Sequence, residues 1–292
     1  MSFMKTALSI SLLLLICCSS FETSTYTQQT GHTNGPIGYY EGDPLPPKTA
    51  FLTFDDGPSD WTSDVLDVLK KENVKATFFV CGAWLPKANR IGNSFRKYKT
   101  VLIRMKEEGH TIGNHTLGHQ NFASMSPKRI ESQLDENQKL YQNELGEYSG
   151  KLIWIRPPFG SPYIRTKNEL IKKRVSSALQ GKGLVFMWTK EFDSTDSKEW
   201  VKGEWYEKGP RIDIDNEKFR KKMDRIYNSL VSKTEGQGIV ILFHDTHPTT
   251  KEVLPFVIEK LKAEGYTFAT AEDYTRWRWG KTSEELSEED SD

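Results

Sequence analysis

The stretch A-F-L-T-F-D-D-G-P-S, Ala50 to Ser59, decides how the chain is read. An apolar run with the make-up of a β-strand stops at Phe54 and meets two adjacent carboxylates and a Gly-Pro pair. A strand throws successive side chains to opposite sides. Asp55 and Asp56 at its end can therefore do different work, one binding a cation and the other handling a proton. Asp-Asp-Gly-Pro is equally good turn chemistry, so the rest of the chain must choose between a site and a corner.

Outward from that stretch, short β-rich runs alternate with amphipathic ones. The strands expected are Ala50 to Phe54, Ala76 to Val80, His110 to Gly113, Leu152 to Ile155, Leu184 to Trp188, Gly238 to Phe243 and Tyr266 to Ala269. Helices are expected near Trp61–Glu72, Phe95–Glu108, Pro127–Leu145, Ile164–Leu179, Asn216–Ser232 and Lys251–Glu264. Phe219, Met223, Ile226, Tyr227, Leu230 and Val231 show the spacing of three and four that lines one helix face. Gly109, Gly146, Gly181, Gly236 and Gly265 each follow a helical run, where a left-handed residue closes the last turn. Repeated β-then-α units need right-handed crossovers, and seven of them close into a parallel barrel more naturally than into a sheet with two free edges. Such a barrel carries its chemistry at the C-terminal ends of its strands.

The polar clusters fall on that rim. Asp55 and Asp56 follow the first strand, Asn114 to His119 the third and Arg156-Pro157-Pro158-Phe159-Gly160 the fourth. Asp193 and Asp196 follow the fifth, and His244-Asp245 the sixth. His115 and His119 are four apart, so two imidazoles can point the same way from one turn, and Asp56 can complete a facial set with open positions. Thr116 stands where an H-E-x-x-H peptidase needs its glutamate, which disfavours a peptidase.

The 292 residues suit one large domain, and their zero formal net charge offers no basic stripe for nucleic acid. Residues 1–20 read as an export signal: Lys5, then the apolar run Ala7 to Cys18, too short to span a bilayer, then small polar residues with a cleavage point near Ser20. Leu15-Ile16-Cys17-Cys18 also resembles a lipoprotein box, so soluble secretion and a lipid anchor at Cys18 both stand. Either places the protein in the periplasm, outside the cell or on the envelope. Cys81 is then the one thiol of the mature domain, and no internal disulfide is expected. Residues 21–48 read as a linker or strap, and residues 281–292 as an acidic disordered tail.

Taken together, T-F-D-D-G-P-S, H-T-L-G-H, R-P-P-F-G and L-F-H closely resemble the polysaccharide deacetylases with a NodB-type domain, carbohydrate esterase family 4. The resemblance spans roughly Ala50 to Tyr274 and implies a distorted (β/α)7 barrel as catalytic domain over residues 49–280. It implies Asp56, His115 and His119 as ligands of a divalent metal, most often zinc, and Asp55 as general base. Arg156 would orient that base, the Phe159 backbone N–H would stabilise the oxyanion, and His244 would be the general acid. Leu242 would wall the acetate pocket, and Asp196 of Asp193-Ser194-Thr195-Asp196 would partner His244.

Ser197 replaces the tryptophan that ends the family's D-x-x-D-W motif, so Trp188 or Trp200 has to shape the pocket. Trp200, Trp205 and Tyr206 lie in an apparent insertion, Lys198 to Asp215, that can offer rings to sugars or clamp the loop to the barrel. His110 reads as structural and His247 as a rim residue, while His32 has no assigned role. The implied activity is N-deacetylation of a polysaccharide, peptidoglycan GlcNAc first and chitin oligomers next. An O-acetyl xylan esterase and an inactive glycan-binding module are the alternatives.

Overall fold

The computed structural model describes residues 35–85, 90–164, 166–199 and 217–290. In chain order its strands are β1 (Gly38–Tyr39), β2 (Thr49–Asp55), β3 (Thr77–Val80), β4 (Trp84–Leu85), β5 (Arg90–Ile91), β6 (Thr111–Asn114), β7 (Trp154–Ile155), β8 (Leu184–Phe186), β9 (Ile239–His244) and β10 (Thr267–Ala269). The helices are α1 (Thr62–Lys71), α2 (Ser94–Lys97), α3 (Lys99–Glu107), α4 (Pro127–Leu145), α5 (Glu169–Leu179), α6 (Asp196–Glu199), α7 (Glu217–Val231), α8 (Pro248–Ala263), α9 (Ala271–Trp279) and α10 (Ser283–Glu289).

Strand β2 is buried along its whole length and is the axis of the sheet. Strand β9 pairs with it from Ala50 to Asp55 on one edge. On the other edge β10 lies beside Thr49–Phe51 and β3 beside Thr53–Asp55. The last strand therefore shares an edge with β3, and β9 meets β2 directly. From β3 the parallel order continues through β6, β7 and β8 to β1. The remaining gap is bridged by the chain after β8, where the Thr189 and Ser194 N–H groups donate to the Val240 and Leu242 carbonyls at 3.1 and 3.0 Å. The result is a distorted (β/α)7 barrel.

Alternation along β2 divides the core. Ala50, Leu52 and Phe54 face outward into the layer that α1 and α8 cover, and Phe51 faces inward with Phe79, Phe186 and Tyr274. Burial on both faces explains why the strand reads as almost continuously apolar. Inside, Phe51 and Tyr274 meet Phe186 edge-on at 5.9 and 5.6 Å. Gly113 leaves room for this packing, since a Cβ there would come within 2.7 Å of the Phe79 ring. The interior is thus filled, and side chains that do chemistry are left to the rim.

One expected segment is more ordered than a linker, and two expectations are corrected. Within the expected linker or strap, β1 adds a parallel strand beside β8, and Tyr39 and Tyr40 are buried. Four residues, Ile37-Gly38-Tyr39-Tyr40, carry enough apolar area to anchor an otherwise polar segment. The helix expected from Phe95 to Glu108 breaks at Tyr98 into α2 and α3. Residues 281–292, read as a disordered tail, hold α10 instead. Thr282 and Glu285 form a reciprocal capping box, and Leu286 is buried against the interior cluster. Leu286→Ala should accordingly lower unfolding stability by about 2–4 kcal/mol; a urea midpoint equal to that of the parent chain would restore the disordered-tail reading. The expected export signal, the Cys18 anchor, His32 and the Trp200, Trp205 and Tyr206 insertion lie outside the described residues.

Candidate active site

Backbone strain marks the rim. Asp56, Thr116, His119, Phe159 and Thr195 all have positive φ, at 75°, 74°, 49°, 61° and 59°. Each costs on the order of 1 kcal/mol or more for a residue with a Cβ. They occupy four different strand-end loops that converge at one mouth, and a fold keeps such strain where it positions side chains.

Asp55 ends β2 pointing into the barrel mouth, as its inward register with Phe51 requires. Its Oδ1 accepts from Arg156 Nη1 at 2.9 Å. The Arg156 side chain is fully buried, and it donates also to Thr53 Oγ1 at 2.7 Å and to the Phe186 and Met187 carbonyls at 2.7 and 3.1 Å. The Phe79 ring lies 4.2 Å below the guanidinium. Burial pulls the Arg156 pKa down and the Asp55 carboxylate opposes it. So many donors spent on one side chain leave Asp55 with little freedom to turn, and its second oxygen lies 3.7 Å from His115 Nε2.

Asp56 Oδ1 faces His115 Nε2 at 3.3 Å and His119 Nε2 at 3.0 Å. His115 Nδ1 lies 2.6 Å from the Arg156 carbonyl, which can only accept, so Nδ1 carries the proton and Nε2 presents a lone pair. Asp56 Oδ1 is buried and accepts no hydrogen bond from either ring. Three donor atoms within 4.8 Å of one another, one of them an orphaned buried oxygen, fit a divalent cation. The two histidines come from an irregular loop and not from a helical turn; the turn that was expected is replaced by left-handed Thr116 and His119.

Beside Asp55, its register partner on β2, β9 delivers His244, whose side chain is 14% exposed. Its Nδ1 lies 2.7 Å from Asp196 Oδ1, which leaves Nε2 as the outward nitrogen. Asp196 is fully buried and also accepts from the His244 N–H at 2.7 Å, the Thr250 hydroxyl at 2.7 Å and the Ser197 N–H at 2.8 Å. Burial favours the uncharged form of both groups, but their mutual attraction and hydrogen bonds win: Asp196 falls to about 2 and His244 rises to about 10. The imidazolium is therefore the resting state at neutral pH.

The remaining expected residues are close by. The Phe159 ring is 44% exposed and 4.6 Å from His119. Trp188 is buried beneath Gly160 and 5.8 Å from the Arg156 guanidinium, and Leu242 is buried two residues before His244 on the same strand. Asp193 caps its own loop through the Thr195 N–H at 2.8 Å and does not reach His244's ring nitrogen, which Asp196 holds. His110 is structural, accepting the Ala76 N–H at 3.1 Å. His247 is buried and not at the surface of the rim; burial drops its pKa to about 4, so its ring, 5.9 Å from His244, is neutral.

Sequence reasoning missed three supports. Thr53 and Thr250 hold Arg156 and Asp196 through hydroxyls that no spacing rule announces. Asp245, buried beside His244, accepts from the Thr62 hydroxyl and lies so close to Gly57 that a Cβ there would fall 2.2 Å from its oxygen. It ties the Asp55-Asp56 turn to the end of β9, and only glycine fits at position 57.

The polysaccharide deacetylase family pattern matches residues 42–177. A peptidoglycan-N-acetylglucosamine deacetylase of Bacillus cereus is 33% identical over 222 residues, 76% of this chain and 68% of that protein. The peptidoglycan-N-acetylmuramic acid deacetylase PdaA of Bacillus subtilis is 30% identical over 232 residues, 77% of this chain and 71% of that protein. The crystal structure of the polysaccharide deacetylase Bc1974 from Bacillus cereus superposes with a TM-score of 0.56 at 29% identity, covering 76% of this chain and 91% of that one.

Proposed function

Because this chain belongs to the polysaccharide deacetylase family, we propose that it removes N-acetyl groups from the amino sugars of peptidoglycan, GlcNAc before MurNAc, using zinc held by Asp56, His115 and His119. Bound there, the cation would supply the positive charge that polarises the amide carbonyl and lowers the pKa of the attacking water. Asp55 takes the proton that this water gives up, its carboxylate fixed by Arg156. The Phe159 backbone N–H assists at the oxyanion, while Trp188 and Leu242 enclose the acetyl methyl. His244 gives its proton to the sugar nitrogen as the carbon–nitrogen bond breaks, so acetate and a free amine leave.

The observation that carries this reading is the Asp196–His244 pair. An amide nitrogen is expelled only when protonated, and a fixed imidazolium facing the mouth meets that need. An acetyl ester has a better leaving group and asks less of His244, so the pair favours N- over O-deacetylation. Export, with or without a lipid anchor at Cys18, belongs to the same proposal and rests on residues 1–20.

Acetate release measured on peptidoglycan, chitin oligomers and acetylated xylan tests it, with chelator-stripped and zinc-reloaded protein side by side. Acetate and new amines from peptidoglycan, lost on stripping and restored by zinc, are expected. Release from xylan alone would identify an O-acetyl esterase, and glycan binding without release in zinc-loaded protein would identify a binding module.

A further inference from the structure

Helix α4 has a polar residue where its apolar stripe should continue. Ile130, Leu134, Tyr141 and Leu145 form its buried face, and Asn137 falls among them, fully buried. Burying an amide costs free energy unless each of its groups is paired. All of them are. Asn137 Oδ1 accepts the Gly82 N–H at 2.8 Å, and its Nδ2 donates to the Val80 carbonyl at 3.1 Å and to Asn114 Oδ1 at 2.9 Å.

Asn114 passes the connection on to the ligand loop. Its Oδ1 also accepts the Thr116 N–H at 2.9 Å, and its Nδ2 returns to the Leu134 carbonyl of α4 at 3.0 Å. Thr116 Oγ1 in turn accepts the His119 N–H at 3.0 Å. One turn earlier on α4, Gln133 takes the Gly118 N–H at 2.9 Å on its side chain and the Leu117 N–H at 3.0 Å on its carbonyl. Every residue between the two histidines is therefore tethered to α4 or to a residue α4 holds, and the two left-handed residues of the loop, Thr116 and His119, lie on that chain of contacts.

We propose that Asn137 is the positioning residue that sets the cation affinity of the Asp56–His115–His119 site, acting through Asn114 and Thr116. The proposal rests on the reading of that triad as a metal site. Without the Asn137 amide, Asn114 loses one of the two contacts that orient its side chain, its hold on the Thr116 backbone loosens, and His119 is freer to leave a strained conformation. Outer contacts of this kind change metal affinity by roughly 10- to 100-fold.

Zinc titration of apo protein, together with the visible spectrum of the cobalt-loaded form, tests it. Asn137→Ala should bind zinc roughly 10- to 100-fold more weakly and alter the cobalt spectrum. Leu145→Ala, on the same buried face but outside the network, should lower the melting temperature and leave both readouts as in the parent chain. If Asn137→Ala does not fold, Thr116→Val, which removes the last link of that chain of contacts, the Thr116 Oγ1 that accepts the His119 N–H, should still weaken zinc severalfold. Parent-like affinity and spectrum in the folded variants would overturn the proposal. Parent chain and His119→Ala binding zinc equally would instead reject the metal site itself.

Discussion

Asp55→Asn should lower kcat by about a thousandfold, the middle of the range for removing a general base, while leaving zinc bound. The amide keeps the shape and can still accept from Arg156 Nη1, which lies 2.9 Å from Asp55 Oδ1, but it cannot take a proton from water. Since Asp55 is, among the described residues, the one carboxylate paired with the buried guanidinium, the substitution also leaves that charge uncompensated. Loss of one partner of a buried pair costs about 3–5 kcal/mol, moderated here by Thr53 and the two carbonyls that Arg156 keeps. Rates must thus be compared well below the variant's melting temperature. A folded, zinc-loaded Asp55→Asn that releases acetate at the parent rate would move the base elsewhere. A variant that loses zinc as well would show that Asp55 belongs to the ligand set.

The separation of Asp55 from Asp56 shows what a sequence can and cannot deliver. Their adjacency at a strand end was legible, because strand periodicity fixes which of the two shares a side with Phe51. All the expected strands formed, and in β2, β3 and β8 the apolar composition reflects burial on both faces. What escaped was set by contacts remote in sequence: the edge of β2 on which β10 settles, the hydroxyls of Thr53 and Thr250, and the amide of Asn137. The helix α10 escaped for another reason. A single leucine in an acidic segment gives no periodicity, and what orders the helix is the Thr282–Glu285 capping box together with the burial of Leu286 against the interior cluster.

Asp55 and His244, the proposed base and acid, are cross-strand neighbours that stand in two electrostatic environments. Asp55 is neutralised by a guanidinium inside the barrel, whereas His244 is kept charged by a carboxylate behind it. Each ion is paired away from the mouth, so the face each turns to substrate is chemically available. The same division makes the histidine side testable by pH.

Asp196→Asn should move the alkaline limb of the kcat/KM profile to lower pH by more than a unit and lower the rate at pH 8 by about a hundredfold, the lower end of what a general acid contributes. Burial of His244 opposes its charge, and the Asp196 carboxylate raises it to about 10. With a neutral amide behind the ring, burial prevails and the proton is lost nearer neutrality. An amide also has one oxygen for the four donors that Asp196 now accepts. Turned either way, its NH2 faces a donor that it cannot satisfy.

Stability carries the same signature. His244 has an ordinary value of 6.5 when unfolded, so its contribution is complete below that pH and is lost as pH rises through about 10. Asp196, with an ordinary value of 3.8, contributes fully above it and loses that contribution as pH falls through about 2. The pair thus stabilises the fold most between those ordinary values, and Asp196→Asn should flatten the difference in urea midpoint between pH 6 and pH 9. An unchanged alkaline limb in a folded variant would detach His244 from proton donation, even if the fold lost stability as expected. A limb that shifts together with the flattened midpoint would tie both effects to one hydrogen-bonded ion pair.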